Sequence, residues 1–182
     1  MHMEAIRIGG LILLEYKTYG DDRGYFRETF RQDEINKIFG REIEFVQDNE
    51  SLSKASVVRG LHFQRPPHAQ AKLVKVSAGR IFDVAVDLRP GSNTYGRWDG
   101  YELSAENGKQ LFIPEGFAHG FVALEDNTVV SYKVTDYYAP ECDGGVLWDD
   151  PVIGIEWPLP GEPIVSGKDL NLPGLAELGN VF

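Results

Sequence analysis

An all-β sandwich or barrel with few short helices is the fold class this sequence predicts, and three observations carry it. Twenty glycines and ten prolines break the chain into many short apolar stretches, the punctuation of strands joined by turns. Arg80 to Leu88 alternates with period two: Phe82, Val84, Val86 and Leu88 face one way, while Ile81, Asp83, Ala85 and Asp87 face the other. Helical periodicity is weak, and the 182 residues contain no repeat, linker or low-complexity tract. One domain over residues 1–182, large enough to bury a real core, is therefore expected.

The elements follow in chain order. The apolar run Ile8 to Leu14 holds Gly9 and Gly10, lacks a basic leader and is too short to cross a bilayer. Gln32 to Phe39 has the makings of one short helix, with Asp33 near its start and Gly40 just beyond its end. Leu73, Val74, Lys75 and Val76 begin a strand directly after a loop containing Pro66 and Pro67. Gln110 to Ile113 is a strand stopped by the turn Pro114-Glu115-Gly116. Val129 to Val134 is short and β-branched, which sets Tyr132 on the face of Val130 and Val134. The last third is rich in proline and irregular, with Trp148 and Trp157.

Charge narrows the function. A net charge of −10 argues against a nucleic-acid partner, which calls for a basic footprint. Yet Ser51 to Phe82 carries Lys54, Arg59, Arg65, Lys72, Lys75 and Arg80 and no Asp or Glu. A basic island in an acidic chain suits a small anionic ligand, although a strand pair with a basic solvent face has the same composition. Cys142 is the sole cysteine, so no disulfide forms within the chain and no Cys-rich zinc or CxxC redox site exists. With no signal peptide or membrane span in view, a cytoplasmic protein is the expectation.

The same island holds His62 and His68, and His119 follows in Gly116-Phe117-Ala118-His119-Gly120-Phe121. An imidazole titrates near ~6.5, so His62 can accept a proton at neutral pH if a carboxylate fixes its tautomer. Asp83 and Asp169 are both candidates for that partner, and the residues alone do not choose between them. Tyr132 reads first as a core tyrosine with a satisfied hydroxyl, and alternatively as a phenol able to return a proton. Lys72 and Arg59 could stabilise an enolate oxygen or clamp a phosphate. A three-histidine metal site from His62, His68 and His119 is disfavoured by spacing, since the chain reads His62-Phe63-Gln64 where metal-binding barrels of the cupin type present His-x-His. These residues point to proton transfer beside an anionic group.

Taken in order, the motifs are Asp22-Arg23-Gly24-Tyr25-Phe26-Arg27-Glu28, Gln47-Asp48-Asn49-Glu50-Ser51 and Arg59-Gly60-Leu61-His62-Phe63-Gln64, then Gln70-Ala71-Lys72, Asp83 to Arg89 and Pro114 to Phe121. Trp148 to Pro151 and Ser166-Gly167-Lys168-Asp169 complete them. With these the chain resembles, nearly end to end, the deoxythymidine-diphosphate (dTDP)-4-dehydrorhamnose 3,5-epimerases. The resemblance implies a jelly-roll β-barrel of the cupin type without its metal, no cofactor, and a homodimer that exchanges N-terminal strands. It implies inversion of dTDP-4-dehydro-6-deoxy-D-glucose at C3 and C5 to dTDP-4-dehydro-L-rhamnose, in dTDP-L-rhamnose biosynthesis. By the same resemblance His62 is the base, paired with Asp169; Tyr132 is the acid on the opposite face; and Lys72 stabilises the enolate. Arg59 and His119 lie around the sugar and diphosphate. Gln47, Asn49 and Lys168 contact the nucleotide or its phosphates, as do Arg23, Phe26 and Glu28, which a partner subunit can supply. Tyr138 and Asp143 join the substrate contacts, Asp143 standing where many relatives carry Glu. Inversion requires a base on one ring face and an acid on the other, and retention of Tyr132 with His62 favours a double epimerase over a sibling acting at one carbon.

Overall fold

The computed structural model describes residues 2–4 and 9–182; Ile8, at the head of the first apolar run, lies outside the described residues, as do the side chains of 2–4. The strands are β1 (His2–Glu4), β2 (Ile12–Glu15), β3 (Thr18–Asp21), β4 (Gly24–Arg27), β5 (Gln47–Ser53), β6 (Val57–Gln64) and β7 (Lys72–Ala78). They continue with β8 (Arg80–Asp87), β9 (Trp98–Ser104), β10 (Lys109–Ile113), β11 (Phe117–Ala123), β12 (Thr128–Val134), β13 (Asp143–Gly145) and β14 (Ile164–Val165). One sheet runs β1-β2-β10-β7-β12-β5 and the other β13-β6-β11-β8-β9, with β14 added to β6. The β14–β6 pairing is parallel and the remaining pairings are antiparallel. The described strands thus make two open sheets, each its own hydrogen-bonded ladder, plus a separate β3–β4 hairpin.

The two sheets share a core. Leu13, Val74, Val76, Leu111, Ile113 and Val130 from the first meet Ile81, Ala85, Leu103, Phe117 and Phe121 from the second. Burying each such side chain contributes about 1.5–3 kcal/mol, so this interface is the main reason the sheets stay face to face. Strand β8 is buried on both sides, and its face of Phe82, Val84 and Val86 points away from the sandwich. Val84, Val86 and Leu88 pack there with Ile153, Leu175, Trp157 and Phe182. The proline-rich last third is therefore a cover for the second sheet. Asp150 pins it by accepting hydrogen bonds from the backbone N–H groups of Ile153 (3.0 Å) and Leu175 (2.9 Å).

The expected helix forms as α1 (Gln32–Phe39), stopped by Gly40 in the left-handed region at φ 61°. Its Ile35 sits with Leu14, Leu73 and Phe112 on the outer face of the first sheet. Two single-turn 3-10 helices, Asp169–Asn171 and Leu175–Glu177, are the other helical pieces described. No described helix is long and apolar enough to cross a membrane.

Candidate active site

Between the sheets opens a cavity of about 860 Å³. The second sheet supplies His62 and His119, which are partners in the β6–β11 register. The first sheet supplies Lys72 from β7, Tyr132 from β12, and Gln47 and Asn49 from β5. His62 and Tyr132 thus stand on opposing walls. On β7 the inward stripe of Val76 and Val74 continues to Lys72 at the strand start, so a lysine takes the position where the apolar core gives way to the cavity.

A regular strand would turn Arg59 and His62 to opposite faces, because they are three residues apart. The β6–β11 pairing shifts register between His119 and Phe121, a bulge that lets both Arg59 and His62 line the cavity. Gly60 makes this feasible. Its φ is 128°, and a Cβ there would lie 2.5 Å from Gly120 Cα and 2.8 Å from the His119 carbonyl oxygen. No side chain fits that approach.

His62 Nε2 lies 2.8 Å from Asp169 Oδ1. Asp169 is 4% exposed and sits in the turn where its own N–H donates to Ser166 Oγ at 3.1 Å. Its second oxygen accepts from Gly60 N–H at 3.3 Å. A carboxylate only accepts, so Nε2 carries the imidazole proton and Nδ1 keeps the lone pair. Burial lowers the His62 pKa, and the Asp169 hydrogen bond and charge oppose that shift without cancelling it. The imidazole is consequently neutral, and able to take a proton, at pH 7.

Of the two acids that sequence left open as the partner of His62, the structure gives it Asp169. Asp83 instead meets His119, with Nε2 to Oδ1 at 2.7 Å. His68 pairs with a third carboxylate, Asp136, at 3.0 Å. The three histidines weighed as a metal set therefore each face a different acid, and among the described residues no three His, Cys, Asp or Glu side chains converge as a metal group.

Lys72 is 8% exposed, and burial lowers its pKa to about 8 against the opposing pull of Asp83 and then Asp143. It is still mostly an ammonium at pH 7. Its Nζ donates to the His62 carbonyl at 3.3 Å. Burial raises the Tyr132 pKa, with Arg59 pulling the other way, so the phenol keeps its proton across neutral pH. At the cavity mouth Lys168 Nζ pairs with Asp143 Oδ2, and that bond raises the lysine pKa. The Tyr138 hydroxyl donates to the same oxygen at 3.5 Å, while the Tyr138 N–H donates to Gln47 Oε1 at 3.1 Å. Arg59 is held by Ser53 Oγ and the Leu52 carbonyl, each at 3.1 Å.

Eleven of the fourteen sequence-selected residues line this one cavity; Arg23, Phe26 and Glu28 do not. Arg23 and Phe26 belong to the β3–β4 hairpin region, where Phe26 is 68% exposed and Arg23 bonds only its neighbour Asp21 among the described residues. Sequence reasoning passed over Ser51, Gln64, Gln70 and Phe121, which also line the cavity. Ser51, Gln64 and Gln70 were legible in principle as polar residues inside the basic island, while Phe121 carries no local signal.

The profile of the dTDP-4-dehydrorhamnose 3,5-epimerase family matches residues 5–177. A dTDP-4-dehydrorhamnose 3,5-epimerase of Methanothermobacter thermautotrophicus is 55% identical over 172 residues, covering 93% of this chain and 92% of the relative. Among solved structures, the Legionella pneumophila enzyme in complex with dTDP-4-keto-L-rhamnose superposes with a TM-score of 0.94 at 44% identity, over 97% of this chain and 94% of that one. A 3'-monoepimerase of Streptomyces bikiniensis also matches, with a TM-score of 0.91 at 33% identity over 96% of this chain and 87% of that one. One solved form of that monoepimerase is a double variant at a histidine and a tyrosine, separated along the chain as His62 and Tyr132 are here. The same spacing thus occurs in a monoepimerase, while the family model and the Methanothermobacter relative are named for inversion at both carbons. A profile spanning nearly the whole sequence, a relative more than half identical and a matching fold agree on one assignment: the chain belongs to the dTDP-4-dehydrorhamnose 3,5-epimerase family.

Proposed function

We propose that this protein epimerises dTDP-4-dehydro-6-deoxy-D-glucose at C3 and C5, giving dTDP-4-dehydro-L-rhamnose for dTDP-L-rhamnose biosynthesis. The observation that carries the reading is the opposition of a neutral His62 and a protonated Tyr132 across a cavity that also holds the Lys72 ammonium. His62 Nδ1 takes the proton from the carbon beside the C4 ketone, and the electron pair moves onto the ketone oxygen. Lys72 stabilises that oxygen as it becomes an enolate, in a site where low polarity strengthens the attraction. Asp169 holds the imidazolium in place. Return of a proton from Tyr132 on the opposite wall inverts the centre and restores the ketone. Each inversion consumes and releases one proton with no net redox change.

Arg59 and Lys168 supply positive charge for the diphosphate, and Gln47, Asn49, His119, Tyr138 and Asp143 are assigned to nucleotide and sugar, where remote binding energy positions the reacting carbon. Arg23, Phe26 and Glu28 are assigned to a neighbouring subunit's cavity, in a homodimer that exchanges N-terminal strands; the exposed aromatic surface of the β3–β4 hairpin supports this. The two sheets are read as the halves of a cupin-type jelly roll, and the cytoplasm as the compartment.

The test is proton NMR of the 4-keto sugar nucleotide in heavy water with chelator-treated protein. Deuterium at both C3 and C5, with the inverted product trapped by a reductase, is the expected result. Deuterium at one carbon would make this a single-site epimerase, and no exchange would reject the reading.

A further inference from the structure

Asp83 is completely buried at the centre of β8. One of its oxygens accepts from His119 Nε2 at 2.7 Å, and the other has no hydrogen-bond partner among the described residues. A buried carboxylate oxygen left unmatched is costly, and where a fold keeps one the reason is to be sought beyond packing. The nearby counter-charge is Lys72, itself buried, whose one hydrogen bond among the described residues goes to the His62 carbonyl. Asp83 is the leading negative charge acting on that ammonium, ahead of Asp143. His119, 6% exposed, lines the same cavity. Because Asp83 only accepts, His119 must carry its proton on Nε2 and turn Nδ1 away from the carboxylate.

We propose that Asp83 is a positioning residue that serves two groups at once. Through His119 it fixes which ring nitrogen offers a lone pair, and across the cavity wall its uncommitted oxygen balances the buried Lys72 charge. The first role stands on geometry alone; the second gains its catalytic meaning from the epimerase reading above. Without Asp83 the lysine loses the larger of its two anionic supports while its burial is unchanged, so it gives up its proton at a lower pH. The other groups around it leave the argument intact. Asp143 is shared with Lys168, and Asp169 is committed to His62 and the Gly60 N–H. His62, Arg59 and Tyr132 add no negative charge at neutral pH, and His62 is neutral there.

The experiment is NMR titration of Lys72, with ε-13C-labelled lysine assigned by Lys72→Met, in the wild type and in Asp83→Asn. It is run beside the pH profile of kcat/KM. In Asp83→Asn the Lys72 midpoint should fall by about one pH unit, and the basic limb of activity should fall with it. The rate deficit, about tenfold at the wild-type limb, should shrink as pH is lowered. Asp83→Glu, which keeps the charge, should return the limb toward its wild-type position. A loss of rate equal at every pH with an unmoved Lys72 midpoint would overturn the proposal. Should Asp83→Asn not fold, nitrogen-15 spectra of wild-type His119 decide: protonation at Nε2 is required, and protonation at Nδ1 refutes it. Both NMR readouts use substrate-free protein, so they stand or fall separately from the heavy-water test of epimerisation.

Discussion

Strand β8 carries two carboxylates, Asp83 and Asp87, four residues apart on the same face and both at 0% exposure. At the loop end, Asp87 is saturated. It accepts from the Arg89 N–H (3.0 Å), Nε (2.9 Å) and Nη2 (2.7 Å), and from the hydroxyls of Ser92 and Thr94 (2.6 Å each). The same guanidinium reaches the Gly9 carbonyl at 2.9 Å and lies over the Phe117 ring. At the cavity end, Asp83 has one partner and one uncommitted oxygen. Burial opposes ionisation of Asp87, but its donors outweigh burial and hold the pKa at about 2. One carboxylate therefore ties a loop to the sandwich, and the other stands behind His119 of the cavity wall. Equal burial on one strand does not mean equal purpose; the tally of donors separates scaffold from site.

The strongest test of that contrast lies on the cavity side. His62→Ala and Asp169→Ala should each cut turnover by roughly 10²–10⁴-fold while nucleotide binding and melting temperature stay near wild type. Residual turnover close to wild type would remove the dyad from the mechanism. Next in size, Tyr132→Phe should lose epimerised product by about 10²-fold yet keep incorporation of solvent deuterium, because His62, once its proton has exchanged with solvent, can return a deuteron to the same face without inversion. Parallel loss of both signals would place Tyr132 among the packing residues instead.

The scaffold side should behave in the opposite sense. Asp87→Asn should lower unfolding free energy by about 1–3 kcal/mol, measured by urea denaturation, with kcat left alone. The pH dependence has a definite sign. A carboxyl whose folded pKa lies below its unfolded value contributes stability that is complete above the unfolded value and disappears as pH falls toward the folded one. For Asp87 that window runs from about 4 down to about 2. Acid denaturation of the wild type should steepen there, and the Asn variant should lack that component. A change in kcat without a change in stability would break the distinction between the two carboxylates.

Local chemistry was legible where a single element decides it. The apolar–polar alternation of Arg80–Leu88 and the β-branched run ending at Val134 gave strands, and Gly40 marked the end of α1 because its left-handed φ of 61° favours glycine. Nonlocal arrangement was not legible. The most apolar face of β8 looks inward on paper, yet it lies outside the sandwich beneath the C-terminal cover. Period-two counting separates Arg59 from His62, and only a bulge set by the Gly60–Gly120 approach reunites them. Asp83 and Asp169 were equal candidates because a separation of 107 positions divides His62 from its true partner, and no local rule reaches that far. Family resemblance bridged this gap, drawing Asp169 out of a stretch whose own residues suggest only a turn.

The carboxylate paired with His62 arrives with the C-terminal cover, after all fourteen described strands and both walls of the cavity. During synthesis the strands emerge before the turn at Ser166–Asp169 that carries this carboxylate. A chain clipped before residue 169 would keep His62, Lys72 and Tyr132 but leave the imidazole free to rotate and to choose its tautomer. Loss of that turn alone would thus release the imidazole from its partner without touching the walls around it.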